Sequence, residues 1–285
     1  NYQPERINPD PRVSATTADA PISVEILTPV TPRRYSYAIF DHDGTISTLR
    51  EGWEAVMSRH MLRAITGDPE RIDPETRVTI GREIDRFIQT TTGIQTIVQM
   101  HGLVDIVRRY GIVPTAEIRR PEEYKAEYVD ELKDVVRLRL DRLKGGTRSV
   151  DDLTIRGAVP FLRRLSDNGV RLFLASGTDH DDAVAEAEAL GYADLFEEIH
   201  GSVDDVDNDP KAVVLSTIFD SLPAADRDGL IVFGDGPVEL REAVHRKAIA
   251  VGVMSDEVRR YGWNIGKRAR LVSAGADVLI SDFSD

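Results

Sequence analysis

Short apolar runs separated by amphipathic stretches constrain this chain most. Tyr37–Phe40, Val170–Ala175, Leu230–Phe233 and Ala248–Val253 have strand character, with Asp277–Ile280 a short fifth and Phe196–His200 a further candidate. Helical patterns cover Arg156–Asn168, Asp181–Leu190, Lys211–Asp220 and Pro237–Arg246. Strands alternating with helices predict an α/β fold with a parallel, doubly wound sheet.

The alternation breaks once. After the first run, Trp53–Ile65, Pro74–Thr91, Ile94–Tyr110 and Pro121–Lys144 all read as helices. In the last of these, Val135, Val136, Leu138, Leu140 and Leu143 form the expected apolar side. Gly145 and Gly146 are its expected stop. An insertion of roughly a hundred residues is enough for a small domain of its own. The division expected is 1–34 as a Pro-rich arm, 35–50 with 151–285 as the core, and 51–150 as a helical cap. Within the arm, Ile22–Leu27 reads as an edge strand or as a segment packing on a partner subunit.

Composition narrows the function. A net charge of -13 over 285 residues, with no basic block to offset it, argues against nucleic acid. Cys is absent, which excludes disulfides, thiolate metal sites and cysteine nucleophiles. No apolar run is long enough to span a bilayer, so a cytoplasmic protein without a membrane partner is expected.

The first apolar run ends in Asp41-His42-Asp43-Gly44-Thr45. Carboxyl ends of parallel strands are where α/β sheets place ligands. Two carboxylates one residue apart there repel each other unless a cation or a shared proton relieves them. His42 projects to the opposite side of an extended chain and reads as a packing residue or a contact to the insertion. Asp179-His180-Asp181-Asp182 reads as a helix start. The acidic stretch Asp204–Asp209 reads as a solvated loop.

Asp41-x-Asp43-Gly44-Thr45 resembles the first motif of the haloacid dehalogenase (HAD) superfamily. Three further matches follow in order: Ser176-Gly177 after VRLFLA, Lys211 opening a helix, and Gly234-Asp235-Gly236 after LIVF. Taken singly, each is a turn, a cap or a surface lysine; together, and each after the right element, they are specific. The resemblance runs from about Tyr35 to the C-terminus. It implies a Rossmann-like core with a C1-type cap, similar to phosphoglycolate phosphatase and β-phosphoglucomutase.

The resemblance also implies roles. Asp41 would be the nucleophile and Asp43 the general acid and base. Ser176 and the Gly177 N–H would hold phosphoryl oxygens, and Lys211 would neutralise charge. Thr45 would brace the turn. Asp41, the Asp43 carbonyl and Asp235 would hold Mg²⁺, which prefers oxygen ligands. The family's second acidic residue after the fourth motif is here Glu239, one methylene longer than the usual Asp. Arg50 is expected to clamp substrate, with Glu51, Trp53, Thr91, Thr92 and Gln95 as further specificity candidates. Asp43 separates this chain from the dehalogenases, which lack it.

The activity implied is Mg²⁺-dependent hydrolysis of a small phosphorylated metabolite, a sugar phosphate among the candidates, through an aspartyl-phosphate. A phosphomutase and a weakened HAD-fold binding protein are the alternatives. The expected partners are that metabolite and, through the arm or the cap, a second copy of the chain.

Overall fold

The computed structural model describes residues 23–31, 33–92, 94–202, 210–223 and 229–284. Most of the Pro-rich arm and the acidic stretch before Lys211 lie outside the described residues. The chain divides into two compact units: Gly52–Leu138, and the residues up to Glu51 together with Arg139–Asp285.

The larger unit is built on a seven-stranded sheet. Its strands are β1 (Val24–Ile26), β2 (Tyr37–Asp41), β3 (Arg171–Asp179), β4 (Glu198–Ser202), β5 (Leu230–Gly234), β6 (Ile249–Val253) and β7 (Val278–Ile280). The spatial order is β1-β7-β6-β5-β2-β3-β4. All neighbours are parallel except β1, which pairs antiparallel with β7 at the edge (Val24 opposite Ile280). The arm segment is therefore an edge strand of its own chain.

Parity along β2 organises the core. Tyr37 and Ile39 join one apolar cluster with Leu215, Ile218, Leu240 and Leu271, from α7 (Pro210–Ser221), α8 (Pro237–His245) and α9 (Ile265–Ala274). Phe40 faces the other way, stacked on Phe233 with centroids 4.5 Å apart and flanked by Phe161 of α5 (Ala158–Asp167). Both faces are covered, which is why these strands read as unbroken apolar runs rather than as an alternation.

Gly52–Leu138 contains α1 (Trp53–Thr66), α2 (Pro74–Thr91), α3 (Thr96–Tyr110) and most of α4 (Pro121–Lys144). Its core combines Met57, Met61 and Ile65 of α1 with Ile80, Ile84 and Ile88 of α2 and Leu103 and Val107 of α3. Each set recurs at helical spacing. In α4 the buried stripe is Tyr124, Tyr128, Leu132 and Val136. Leu138, expected on the apolar side, is 53% exposed. It lies two residues beyond Val136, more than half a turn round the helix. Arg139 belongs to the larger unit, donating to the carbonyls of Thr48 and Leu49 (3.2 and 2.6 Å) and pairing with Glu51 (2.9 Å).

Candidate active site

Register brings the motifs together. Asp41 lies opposite Ala175 of β3, so Ser176 follows one residue beyond. Phe40 lies opposite Phe233 of β5, so Gly234 and Asp235 come next on that side. With β3 and the later strands leaving β2 in opposite directions, this strand end is the switch point of the sheet.

Asp41 shares strand parity with Ile39, which directs it to the side carrying α7 and α8. There Lys211, in the first turn of α7, places Nζ 2.7 Å from Asp41 Oδ1 and 3.1 Å from Glu239 Oε2. Glu239 folds back over the start of α8, where its Oε1 accepts from the Gly236 N–H (2.6 Å). Gly234 makes this possible, because a Cβ there would collide with the Glu239 side chain. Thr45 Oγ1 donates to Asp41 Oδ2 (3.2 Å). The turn behind it closes with Ser47 N–H and Ile46 N–H both donating to the His42 carbonyl (2.9 Å each).

Asp235 meets a second lysine. Lys267, in the first turn of α9, lies 2.7 Å from Asp235 Oδ2 and 2.8 Å from Glu257 Oε1. It is 4% exposed. Asp235 also presses on the first motif: Gly44, at φ 75°, has no room for a Cβ against Asp235 Oδ2. That left-handed backbone favours glycine as well.

The electrostatics follow from this crowding. Burial drives the Asp41 carboxyl well above its usual range, and Glu239 and Asp235 add to the rise against the pull of Lys211. Burial alone would do the same to Asp235, but Lys267 and Lys211 reverse it and hold that carboxyl low. Both lysines are desolvated, yet their carboxylate partners raise them above the ordinary lysine value. Asp41, Asp235 and Glu239 each offer an oxygen within 4.8 Å of the others. When all four carboxylates, counting Glu257, are ionised, as a bound cation would make them, they face two ammonium groups and leave two negative charges in excess. An all-oxygen donor set with that excess fits one hard divalent cation such as Mg²⁺.

Asp43 is held apart from this cluster. Its Oδ2 accepts from Thr178 Oγ1 (2.8 Å), and its Oδ1 faces Arg50 Nε (3.8 Å) and His42 Nδ1 (3.7 Å). The two carboxylates of the first motif thus have different surroundings, as separate roles require. Ser176 is buried, its Oγ accepting from the Thr178 N–H (3.1 Å), whereas Gly177 is exposed.

A family model for haloacid dehalogenase-like hydrolases matches residues 35–244. The chain belongs to this family. Among curated proteins, none matches the sequence. Solved structures resemble the fold. The β-phosphoglucomutase of Clostridium difficile is 18% identical, covering 87% of this chain and 92% of its own, with a TM-score of 0.55. A predicted phosphoglycolate phosphatase from Haemophilus somnus is 16% identical, covering 88% and 96%, also at 0.55. A predicted phosphatase from Clostridium acetobutylicum is 18% identical, covering 88% and 95%, at 0.52. At these identities the likeness establishes the HAD fold, not a substrate. No described helix is long and apolar enough to cross a membrane.

Compared with the sequence expectations, Asp41, Thr45, Lys211, Asp235 and Glu239 converge, and Asp43, Ser176 and Gly177 lie beside them on the same strand ends. Arg50 differs from expectation: its guanidinium is turned into the protein, 2.6 Å from Glu186 and 3.9 Å from Asp182. Glu51 pairs with Arg139, and Trp53 packs on the core of the smaller unit. Thr91 bonds the Phe87 carbonyl and is itself reached by Gln99. His42 is a packed residue, fully buried, with Nε2 2.7 Å from the Tyr192 hydroxyl.

Lys267, Thr178, Glu186 and Tyr192 escaped the sequence reading. For Lys267 a signal existed: Asn264 caps α9 by accepting from the Lys267 N–H (3.2 Å), and Gly275 ends the helix at φ 95°. Asn before and Gly after an apolar stretch is a helix signature. The other three sit outside any motif.

Proposed function

We propose that this HAD protein is a Mg²⁺-dependent phosphatase for a small phosphorylated metabolite, a sugar phosphate among the candidates. The observation that carries the reading is the division between Asp41, buried against Lys211 beside Asp235, and Asp43, held separately by Thr178.

In this reading Asp41 attacks phosphorus, and the bond to the leaving oxygen breaks as Asp43 gives that oxygen a proton. The phosphoryl group is then an acyl-phosphate on Asp41. Asp43 next takes a proton from water as the water oxygen attacks phosphorus, releasing inorganic phosphate and restoring Asp41. Lys211 offsets the charge of nucleophile and phosphoryl oxygens, while Ser176 and the Gly177 N–H bind those oxygens. Asp41, the Asp43 carbonyl and Asp235, with Glu239 behind them, would hold Mg²⁺, which supplies Lewis-acid charge neutralisation when bound. Glu239 holds Lys211 and the start of α8 at the same time.

Phosphate release from a panel of phosphorylated metabolites, with Mg²⁺ and with EDTA, tests the proposal. Wild type should turn over part of the panel only with Mg²⁺, and Asp41→Asn should abolish turnover while circular dichroism is unchanged. Turnover retained in Asp41→Asn would remove the nucleophile assignment. Isomerisation of glucose 1-phosphate without free phosphate would make the protein a mutase. No metal-dependent release from any substrate would favour a binding role.

A further inference from the structure

Glu186 is a carboxylate placed where the fold itself has no use for one. It lies in the middle of α6 (His180–Ala189), 3% exposed, between the buried Ala183 and Ala187. An isolated charge at such depth is costly, and an apolar side chain would pack there without penalty. Its partner is Arg50, with Nη2 2.6 Å from Oε1 and Nε 3.5 Å from Oε2. This is the two-point approach a guanidinium makes to a carboxylate.

The pair leads to Asp43. Arg50 Nε is 3.8 Å from Asp43 Oδ1, and His42 Nδ1 is 3.7 Å from the same oxygen. His42 Nδ1 also lies 4.0 Å from Glu186 Oε2. Asp43 Oδ1 is buried and accepts no hydrogen bond from any described residue, and His42 Nδ1 likewise has no hydrogen-bond partner. Two buried polar atoms therefore face each other across a gap that a slight closure would turn into a hydrogen bond. On the far side of the ring the Tyr192 hydroxyl holds Nε2 at 2.7 Å. If that hydroxyl donates, Nδ1 carries the proton and points it at Asp43. Glu186 and Asp43 feel one another electrostatically: burial and then the Asp43 charge push the Glu186 carboxyl up to about 7, against the pull of Arg50.

We infer that Glu186 is a positioning residue that, through Arg50 and with His42 behind it, sets the orientation of Asp43 for protonating the leaving oxygen. Arg50 is on this view an internal tie rather than a substrate clamp. The inference rests on the phosphatase reading of Asp43. Attack of water on the phosphoryl-enzyme is common to every ester, so the effect is read at the earlier step in which the leaving oxygen needs a proton, which kcat/KM isolates. A phosphate ester with a good leaving group, such as p-nitrophenyl phosphate, departs without much help. An alkyl ester such as glycerol 2-phosphate does not.

The experiment compares kcat/KM for these two esters in wild type and Glu186→Gln, with circular dichroism and thermal unfolding as fold controls. The expected result is a kcat/KM loss for glycerol 2-phosphate at least tenfold greater than for p-nitrophenyl phosphate. In an Asp43→Asn background, Glu186→Gln should add no further selective loss, because its effect passes through Asp43. Arg50→Lys keeps the charge but loses the fork, should show the same selectivity, and decides the matter if Glu186→Gln does not fold. Equal losses on both esters, or none, in a folded variant overturn the inference and leave the phosphatase reading standing. A wild type that releases phosphate from neither ester nor from any member of the metabolite panel overturns both, and an alkyl phosphate of the panel that it does hydrolyse replaces glycerol 2-phosphate in the comparison.

Discussion

Glu239→Gln is the sharpest test of how the site is braced. Two donors converge on this side chain: the Gly236 N–H at 2.6 Å from Oε1, and Lys211 Nζ at 3.1 Å from Oε2. A carboxylate accepts the hydrogen bond of the first and offsets the charge of the second. An amide has one oxygen and one NH₂ group, so either orientation turns a donor toward a donor. Removing one partner of a buried ion pair costs about 3–5 kcal/mol, and because Lys211 keeps Asp41, the lower end, about 3 kcal/mol, applies here. The two tryptophans allow a local readout. Trp263 packs against the sheet core and Trp53 against the smaller unit's core, so a Trp53→Phe background makes fluorescence report the sheet unit alone. Urea unfolding in EDTA, which keeps metal binding out of the comparison, should show a lower midpoint at unchanged slope. Glu239→Asp retains the charge but is too short to span both donors, and should fall between wild type and Gln. A loss below about 0.5 kcal/mol, the range of ordinary surface substitutions, would refute the bracing argument.

Other outcomes follow from the same geometry. Gly44→Ala must adopt a positive φ, costing about 1–2 kcal/mol, and its Cβ displaces Asp235; phosphatase activity should fall at least a hundredfold while circular dichroism stays native. Lys267→Met removes a buried positive charge beside Asp235, worth several kcal/mol to a divalent ion a few ångströms away, so calorimetry should find Mg²⁺ bound at least tenfold tighter; unchanged or weaker binding contradicts the charge argument. Asp282 is desolvated, yet Ser284 and Arg156 hold its carboxyl below the usual value. A depressed carboxyl stabilises the fold above its unfolded pKa, and the benefit is lost as pH falls through the folded one. Asp282→Asn should therefore be less stable than wild type at pH 7, and the gap should close below about pH 4; a gap independent of pH would rule the ion pair out.

The sequence carried the motifs because catalytic chemistry needs particular residue types at strand ends, and strand ends are visible where apolar runs stop. Asp41, Asp43 and Asp235 were legible for that reason, and Lys211 as the opening of a helix. Leu138 was misplaced because charged and apolar residues are mixed along the end of α4, and only packing shows that the buried stripe descends from Tyr124 to Val136. The pairing of Arg50 was not legible because a lone arginine near a motif carries no mark of its partner, and Glu186 lies 136 residues away.

By itself, the sequence determined the alternating architecture, the helical insertion and the residues of the HAD motifs, since periodicity and local chemistry are properties of neighbours along the chain. Only the tertiary structure decided the ion pairing: Lys267 against Asp235, Glu239 against Lys211, and Glu186 with Arg50 behind Asp43. Those pairings depend on which side chains the folded sheet brings within a few ångströms in low dielectric, where charges act strongly and across any separation in sequence.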